Sequence, residues 1–147
     1  MYFVDREKIL TVLASMDHHM AQMDRLFAQD GYAAKLAQER FTDVMISSIL
    51  EVGHLLIDGF LMRDAGSYED IICILADEKV LPSVEKEMLI KLIALRPDLH
   101  RAYLDLDQKA MVQTVQAAQQ VLRYFPQHVH NYLEKEADVA HAFGKRD

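Results

Sequence analysis

Between Val44 and Leu61 the apolar residues Met45, Ile46, Ile49, Leu50, Val52, Leu55, Leu56, Ile57 and Phe60 fall on nearly every side of a helix drawn through them. A helix apolar all round has to be surrounded, by the rest of its own domain or by a second copy of the chain. The remaining sequence must therefore supply elements that wrap it. With only 5 glycines and 3 prolines in 147 residues, turns are few, which favours long helices over a β-sandwich.

The other segments suit that role. From about Asp5 to Gln29, Asp5 is an N-cap and Ile9, Leu13, Met16, Met20, Met23 and Phe27 recur at alternating spacings of 4 and 3, the stripe of an antiparallel bundle. Asp30-Gly31 ends this helix, and the apolar helix runs from about Ala33 to Arg63. After a loop at Asp64–Ser67, Ser67 caps a short helix from Tyr68 to about Asp77, with Asp70 in the place of the usual capping-box glutamate. A turn follows, and Ser83 is read as the cap of a helix starting near Val84, with Glu85 and Glu87 in its first turn. Pro97 predicts a kink at Arg96, or a stop and restart. Asp107 caps the last long helix, Pro126 predicts a second kink, and a loose tail is expected from about Ala140. The reading is an all-α single domain over residues 1–147. It is an up-and-down bundle of four long helices plus one short helix, with a homodimer contact covering part of the apolar helix.

Several classes are disfavoured. Sixteen basic against 23 acidic residues give a net charge of −7, which argues against a generally basic nucleic-acid binder. Cys73 stands alone, so no internal disulfide or cysteine zinc site is available, and its isoleucine neighbours suggest an inert core thiol. No apolar run spans a membrane, and Met1–Asp5 lacks a signal-peptide layout, so a soluble cytoplasmic protein is expected. No glycine-rich phosphate loop is present, and no cofactor is expected.

The chemistry concentrates in Leu95-Arg96-Pro97-Asp98-Leu99-His100-Arg101-Ala102-Tyr103-Leu104. On an unbroken helix His100 lies about 40° from Arg96, Tyr103 about 20° to the other side, and Arg101 projects about 140° away. Arg offers a donor fork matched to phosphate, His moves a proton near neutral pH, and Tyr stacks or gives a hydroxyl. Together they suit cleavage of a phosphodiester by its own 2′-hydroxyl, without a metal. The plain alternative is a helix turn with two arginines reaching water and a half-buried tyrosine. Elsewhere, His18 reads as solvated, with His19 beside the apolar stripe, and the methionines of that stripe read as core. His54 and Asp58 read as a buried hydrogen-bonded pair, and His128 and His130 as surface. None of these makes a metal site.

The chain also resembles the HepT-like branch of the HEPN superfamily. The likeness rests on Glu51-Val52-Gly53-His54-Leu55-Leu56, on Arg63-Asp64-Ala65-Gly66-Ser67-Tyr68 followed by Glu69-Asp70-Ile71, on Leu75-Ala76-Asp77-Glu78-Lys79-Val80, and on the arginine helix. The resemblance implies an all-helical dimer and a metal-independent ribonuclease. It also implies the toxin half of a type VII-like toxin–antitoxin pair, whose partner is a small nucleotidyltransferase. The family motif is Arg, four residues, His, one residue, Tyr. It maps onto Arg96 and Tyr103, the latter being the tyrosine that such antitoxins modify with AMP. Two copies of the motif face each other across the family dimer.

This sequence departs from the motif at one place: the histidine position holds Arg101, and His100 comes one residue early. The expected site is therefore Arg96, His100 and Arg101 for catalysis and phosphate contact, with Tyr103 as the modification site and no metal. Two readings follow. One is an RNA-cleaving toxin; the other is a non-catalytic dimeric module that binds a nucleotide or a protein partner. A metal-dependent bundle enzyme is a third, which requires bound metal.

Overall fold

A computed structural model describes residues 3–144, with side chains described as far as Ala137. The elements are α1 (Arg6–Met20), α2 (Met23–Phe27), α3 (Tyr32–Gly59), α4 (Tyr68–Asp77), α5 (Lys86–Ile93), α6 (Arg96–His100), α7 (Gln108–Ala117) and α8 (Gln119–Gly144), with 3₁₀ turns at Ser83–Glu85 and Tyr103–Asp105. No strand occurs among the described residues.

Helix α3 is the centre. Helices α1, α2, α4, α6 and α7 all pack on it, α8 packs on α1, and α5 bridges α4 and α7. Met45, Ile46, Ile49, Val52 and Leu56 are fully buried, so one chain surrounds most of the apolar helix by itself. The methionine stripe is core as read: Met16, Met20 and Met23 are buried with Ile9 and Leu13. Each such side chain contributes roughly 1.5–3 kcal/mol relative to exposure.

The caps follow the sequence in three places. Asp5 accepts from the Lys8 N–H at 3.1 Å. Ser67 accepts from the Asp70 N–H at 3.0 Å, and Asp107 accepts from the Ala110 N–H at 3.1 Å. Elsewhere the chain departs from expectation. The first segment breaks after Met20, so α1 and α2 are separate and Gly31, at φ 99°, opens α3. Ser83 begins a 3₁₀ turn instead of capping a helix, because its side chain makes no cap bond and α5 starts only at Lys86. The last long segment divides at Ala118, ahead of Pro126. There the Ala118 N–H is shared between the carbonyls of Thr114 and Val115, a local 3₁₀ tightening, while α8 runs on through Pro126. Helical backbone continues through Gly144, past the expected tail start, since no glycine or proline interrupts residues 127–143. Residues 145–147 of that expected tail lie outside the described residues. Cys73 is half-buried rather than sealed in the core.

Two features bring α4 and its leading loop into place. A Cβ added at Gly53 would collide with Ile71 Cγ2, so glycine lets α4 approach the α3 backbone closely. Arg63 then grips Asp70 with both terminal nitrogens, at 2.8 and 3.0 Å, and the Gly66 N–H donates to Asp70 Oδ2 at 2.9 Å. The Arg63 hydrogen bond, with the Gly66 N–H second, lowers the Asp70 carboxyl from its ordinary 3.8 to about 2. Helices α3 and α4 both end in a Schellman turn, closed by Met62 N–H to Ile57 C=O at 3.0 Å and by Val80 N–H to Leu75 C=O at 2.8 Å. The left-handed positions are Leu61 (φ 54°) and Lys79 (φ 62°), neither of them glycine.

Three outcomes follow for stability. Gly53→Ala gains about 1 kcal/mol of helix propensity but overpacks a fully buried isoleucine at a cost of about 1–3 kcal/mol, so the urea midpoint is expected to fall. Lys79→Gly relieves about 1–2 kcal/mol of left-handed strain against about 0.5–1 kcal/mol of added chain entropy, so its midpoint is expected to rise slightly. Because the folded-state pKa of Asp70 lies below its unfolded value, its contribution is present above about pH 4 and is lost as pH falls through 2. Asp70→Asn should make the decline in stability between pH 4 and pH 2 shallower; an unchanged acid limb in chemical denaturation would count against the clamp.

Candidate active site

The arginine segment does not form one helix. Helix α5 stops at Ile93, and the chain restarts at Arg96 with Pro97 inside the first turn, where its missing N–H costs nothing. This is the stop-and-restart outcome. Helix α6 ends after one turn at His100; Arg101 keeps right-handed helical dihedrals (φ −102°, ψ −50°) with its N–H donating to the Pro97 carbonyl at 2.8 Å, and the chain turns off at Ala102 (φ −97°, ψ 36°). The helical wheel therefore fails beyond Arg101. It sends Arg101 away from Arg96, yet Arg101 also lines the cleft that Arg96 borders. It sets Tyr103 beside Arg96, yet Tyr103 sits in the following 3₁₀ turn, 62% exposed and outside the residues lining that cleft.

The cleft has a volume of about 490 Å³. Arg96, Pro97, His100 and Arg101 form one wall, the loop Ala65–Ser67 with Tyr68 and Glu69 forms another, and His54 joins from α3. The Asp70 clamp thus fixes a wall of the site. The Arg96 guanidinium lies over the Tyr68 ring at 4.4 Å from its centroid, a cation–π contact that orients a long side chain. His100 Nε2 lies 2.7 Å from Asp43 Oδ1 on α3, and the other Asp43 oxygen, Oδ2, lies 3.8 Å from Arg40 Nη1. An ionised carboxylate only accepts, so Nε2 carries the hydrogen, and in the neutral ring Nδ1 is then the bare nitrogen.

The other histidines distribute differently from expectation. His54 and Asp58 are both exposed, with no hydrogen bond between them among the described residues; His54 faces the cleft. His19 Nδ1 lies 2.8 Å from the Ser15 carbonyl, a local helix contact. His128 is half-buried rather than surface, with Nε2 2.8 Å from Glu85 Oε2, while Glu85 Oε1 is buried without a hydrogen-bond partner. His128 borders a larger groove of about 790 Å³ between the turn after α4 and α8. That groove holds none of the arginines, so the smaller cleft is the candidate site. No group of three or more His, Cys, Asp or Glu side chains suited to a metal ion occurs among the described residues, and none of their helices is long and apolar enough to cross a membrane.

Sequence reasoning missed Asp43 and the packing role of Tyr68. Asp43 was visible as an acidic residue between Thr42 and Val44, where the helix turns from polar to apolar. Nothing local ties it to a histidine 57 residues away. Tyr68 lies on the helix that Ser67 caps, and only the fold brings it under Arg96.

Residues 9–129 match the family described as "Ribonuclease HepT-like". The chain is 41% identical over 143 residues, covering 97% of this chain and 99% of the relative, to a Bacillus subtilis (strain 168) protein named "Putative RNase YutE". A solved structure titled "Structure of Cytosolic Protein of Unknown Function YutE from Bacillus subtilis" superposes with a TM-score of 0.84 at 41% identity, covering 92% of this chain and 95% of that one. The arginine cleft therefore sits in a chain that belongs to the HepT-like ribonuclease family of the HEPN superfamily.

Proposed function

We propose that this protein is a metal-independent endoribonuclease that works in the cytoplasm as a homodimer. It would be the toxin of a two-gene pair silenced by a nucleotidyltransferase partner. The observation that carries this reading is the gathering of Arg96, His100 and Arg101 on one cleft, in a chain of a ribonuclease family.

The chemistry uses only side chains present. Arg96 and Arg101 hold the scissile phosphate of an RNA strand and offset the charge that builds on its oxygens during attack. His100 Nδ1 takes the proton of the neighbouring 2′-hydroxyl. The 2′-oxygen forms a bond to phosphorus, and the bond from phosphorus to the 5′-oxygen breaks. That oxygen receives a proton from the imidazolium, or from water that the imidazolium then re-protonates. The products are a 2′,3′-cyclic phosphate and a free 5′-hydroxyl. Tyr103, open to solvent beyond the end of α6, is accessible to a partner enzyme that attaches AMP and so adds bulk and negative charge near the cleft.

A second reading keeps the cleft for binding a nucleotide or a protein partner without catalysis. The observation behind it is the guanidinium of Arg101 where the family motif has its histidine.

Cleavage of single-stranded RNA by the purified chain separates the two. Arg96→Ala and His100→Ala should each remain folded by circular dichroism and lose about 10²–10⁴-fold in rate. Wild type that never cuts RNA, together with indistinguishable growth of cells expressing wild type or His100→Ala, would leave the binding module as the function.

A further inference from the structure

We infer that Asp43 is the positioning residue for His100: from the buried helix α3 it holds the imidazole by Nε2 and presents Nδ1 as the proton-accepting atom of the cleft. The inference rests on the ribonuclease reading for its chemistry and on geometry for the pairing.

Helix α6 is a single turn of five residues with no side-chain cap, an element with little to hold it in register. Its last residue is the histidine. Helix α3 is the opposite: 28 residues long, with Phe41, Thr42 and Met45 buried around Asp43. A 2.7 Å contact between the two ties the short helix to the long one across 57 residues of sequence. The pair is partly exposed, 39% for His100 and 24% for Asp43, so as an ion pair it adds little to stability. Its consequence is directional. Asp43 sets which ring nitrogen bears hydrogen and fixes the ring plane, the service a carboxylate renders to a general-base imidazole.

Other charged groups near the ring do not compete for this role. Arg96 and Arg101 on its own segment and Arg40 on α3 are cations. His54 on α3 and Glu69 on α4 border the cleft without a described hydrogen bond to the ring. The Asp43 contact also accounts for a histidine one place early. With Arg101 beyond the helix end, the residue at position 100 is the one that reaches α3, and a carboxylate there captures it.

The test uses the full chain and a fluorescent single-stranded RNA of mixed sequence. Asp43→Asn should lower kcat at least tenfold, with KM within twofold and an unchanged melting temperature. In a His100→Ala background the same change should cost nothing more, because its effect passes through the ring. In ¹⁵N-histidine-labelled protein, the His100 Nε2–H should give a downfield resonance that moves upfield or vanishes in Asp43→Asn. An unchanged kcat, or an equal loss with and without His100, overturns the inference. Where His100→Ala leaves no measurable turnover, the resonance decides. Where the wild type cuts no RNA, the ribonuclease reading fails, and a resonance insensitive to Asp43→Asn would separately overturn the pairing.

Discussion

A helix apolar on nearly all sides has one solution in water, which is to be enclosed, and the architecture follows from enclosing α3. Five other helices lie against it. The closest approach is that of α4, made possible because Gly53 offers no Cβ to Ile71. Close packing at this crossing sets how far the α3–α4 loop stands from α6. The width of the cleft is therefore a consequence of core packing, not of the polar residues that line it. Interiors packed to crystal-like density transmit such constraints with little slack.

On that scaffold the site is assembled by interruptions. Proline at position 97 ends one helix and starts another, and the short α6 stops at His100. Arg96, His100 and Arg101 belong to one short helical turn and its C-cap, and all three line the cleft before the chain turns off at Ala102. The opposing loop would be free to wander on its own, but Arg63 and the Gly66 N–H both engage Asp70, and Ser67 caps the helix behind it. Three local interactions thus hold the wall that faces the arginines.

Much of this was legible in the residues. The apolar stripe from Ile9 to Met23, the caps at Asp5, Ser67 and Asp107, and the punctuation at Pro97 are local signals, and local chemistry decides them. The break at Ala118 has no glycine or proline to announce it, whereas α8 continues through the buried Pro126. His54 misled because its neighbours are core residues, yet its own direction faces the cleft. The wheel through Arg96, His100 and Tyr103 failed for a plainer reason: it assumed regular rotation past a helix end. The Asp43–His100 pairing and the stack of Arg96 on Tyr68 join distant positions, and no spacing rule reaches them.

An arginine at the motif's histidine position, with a histidine one residue before it, has a chemical logic of its own. A guanidinium stays charged at any physiological pH, so Arg101 can bind a phosphate but cannot accept a proton from a hydroxyl. An imidazole does the reverse job well only when its ring is held, since a freely rotating one meets the hydroxyl in the wrong orientation most of the time. In the proposed reading the fixed charge stands at the helix end and the proton carrier is the residue held by α3, which matches each side chain to the positional accuracy its work would require. A phosphate tolerates a guanidinium that swings by an ångström. Proton transfer along a hydrogen bond does not, and the residue on which that demand falls is the one that contacts the buried helix.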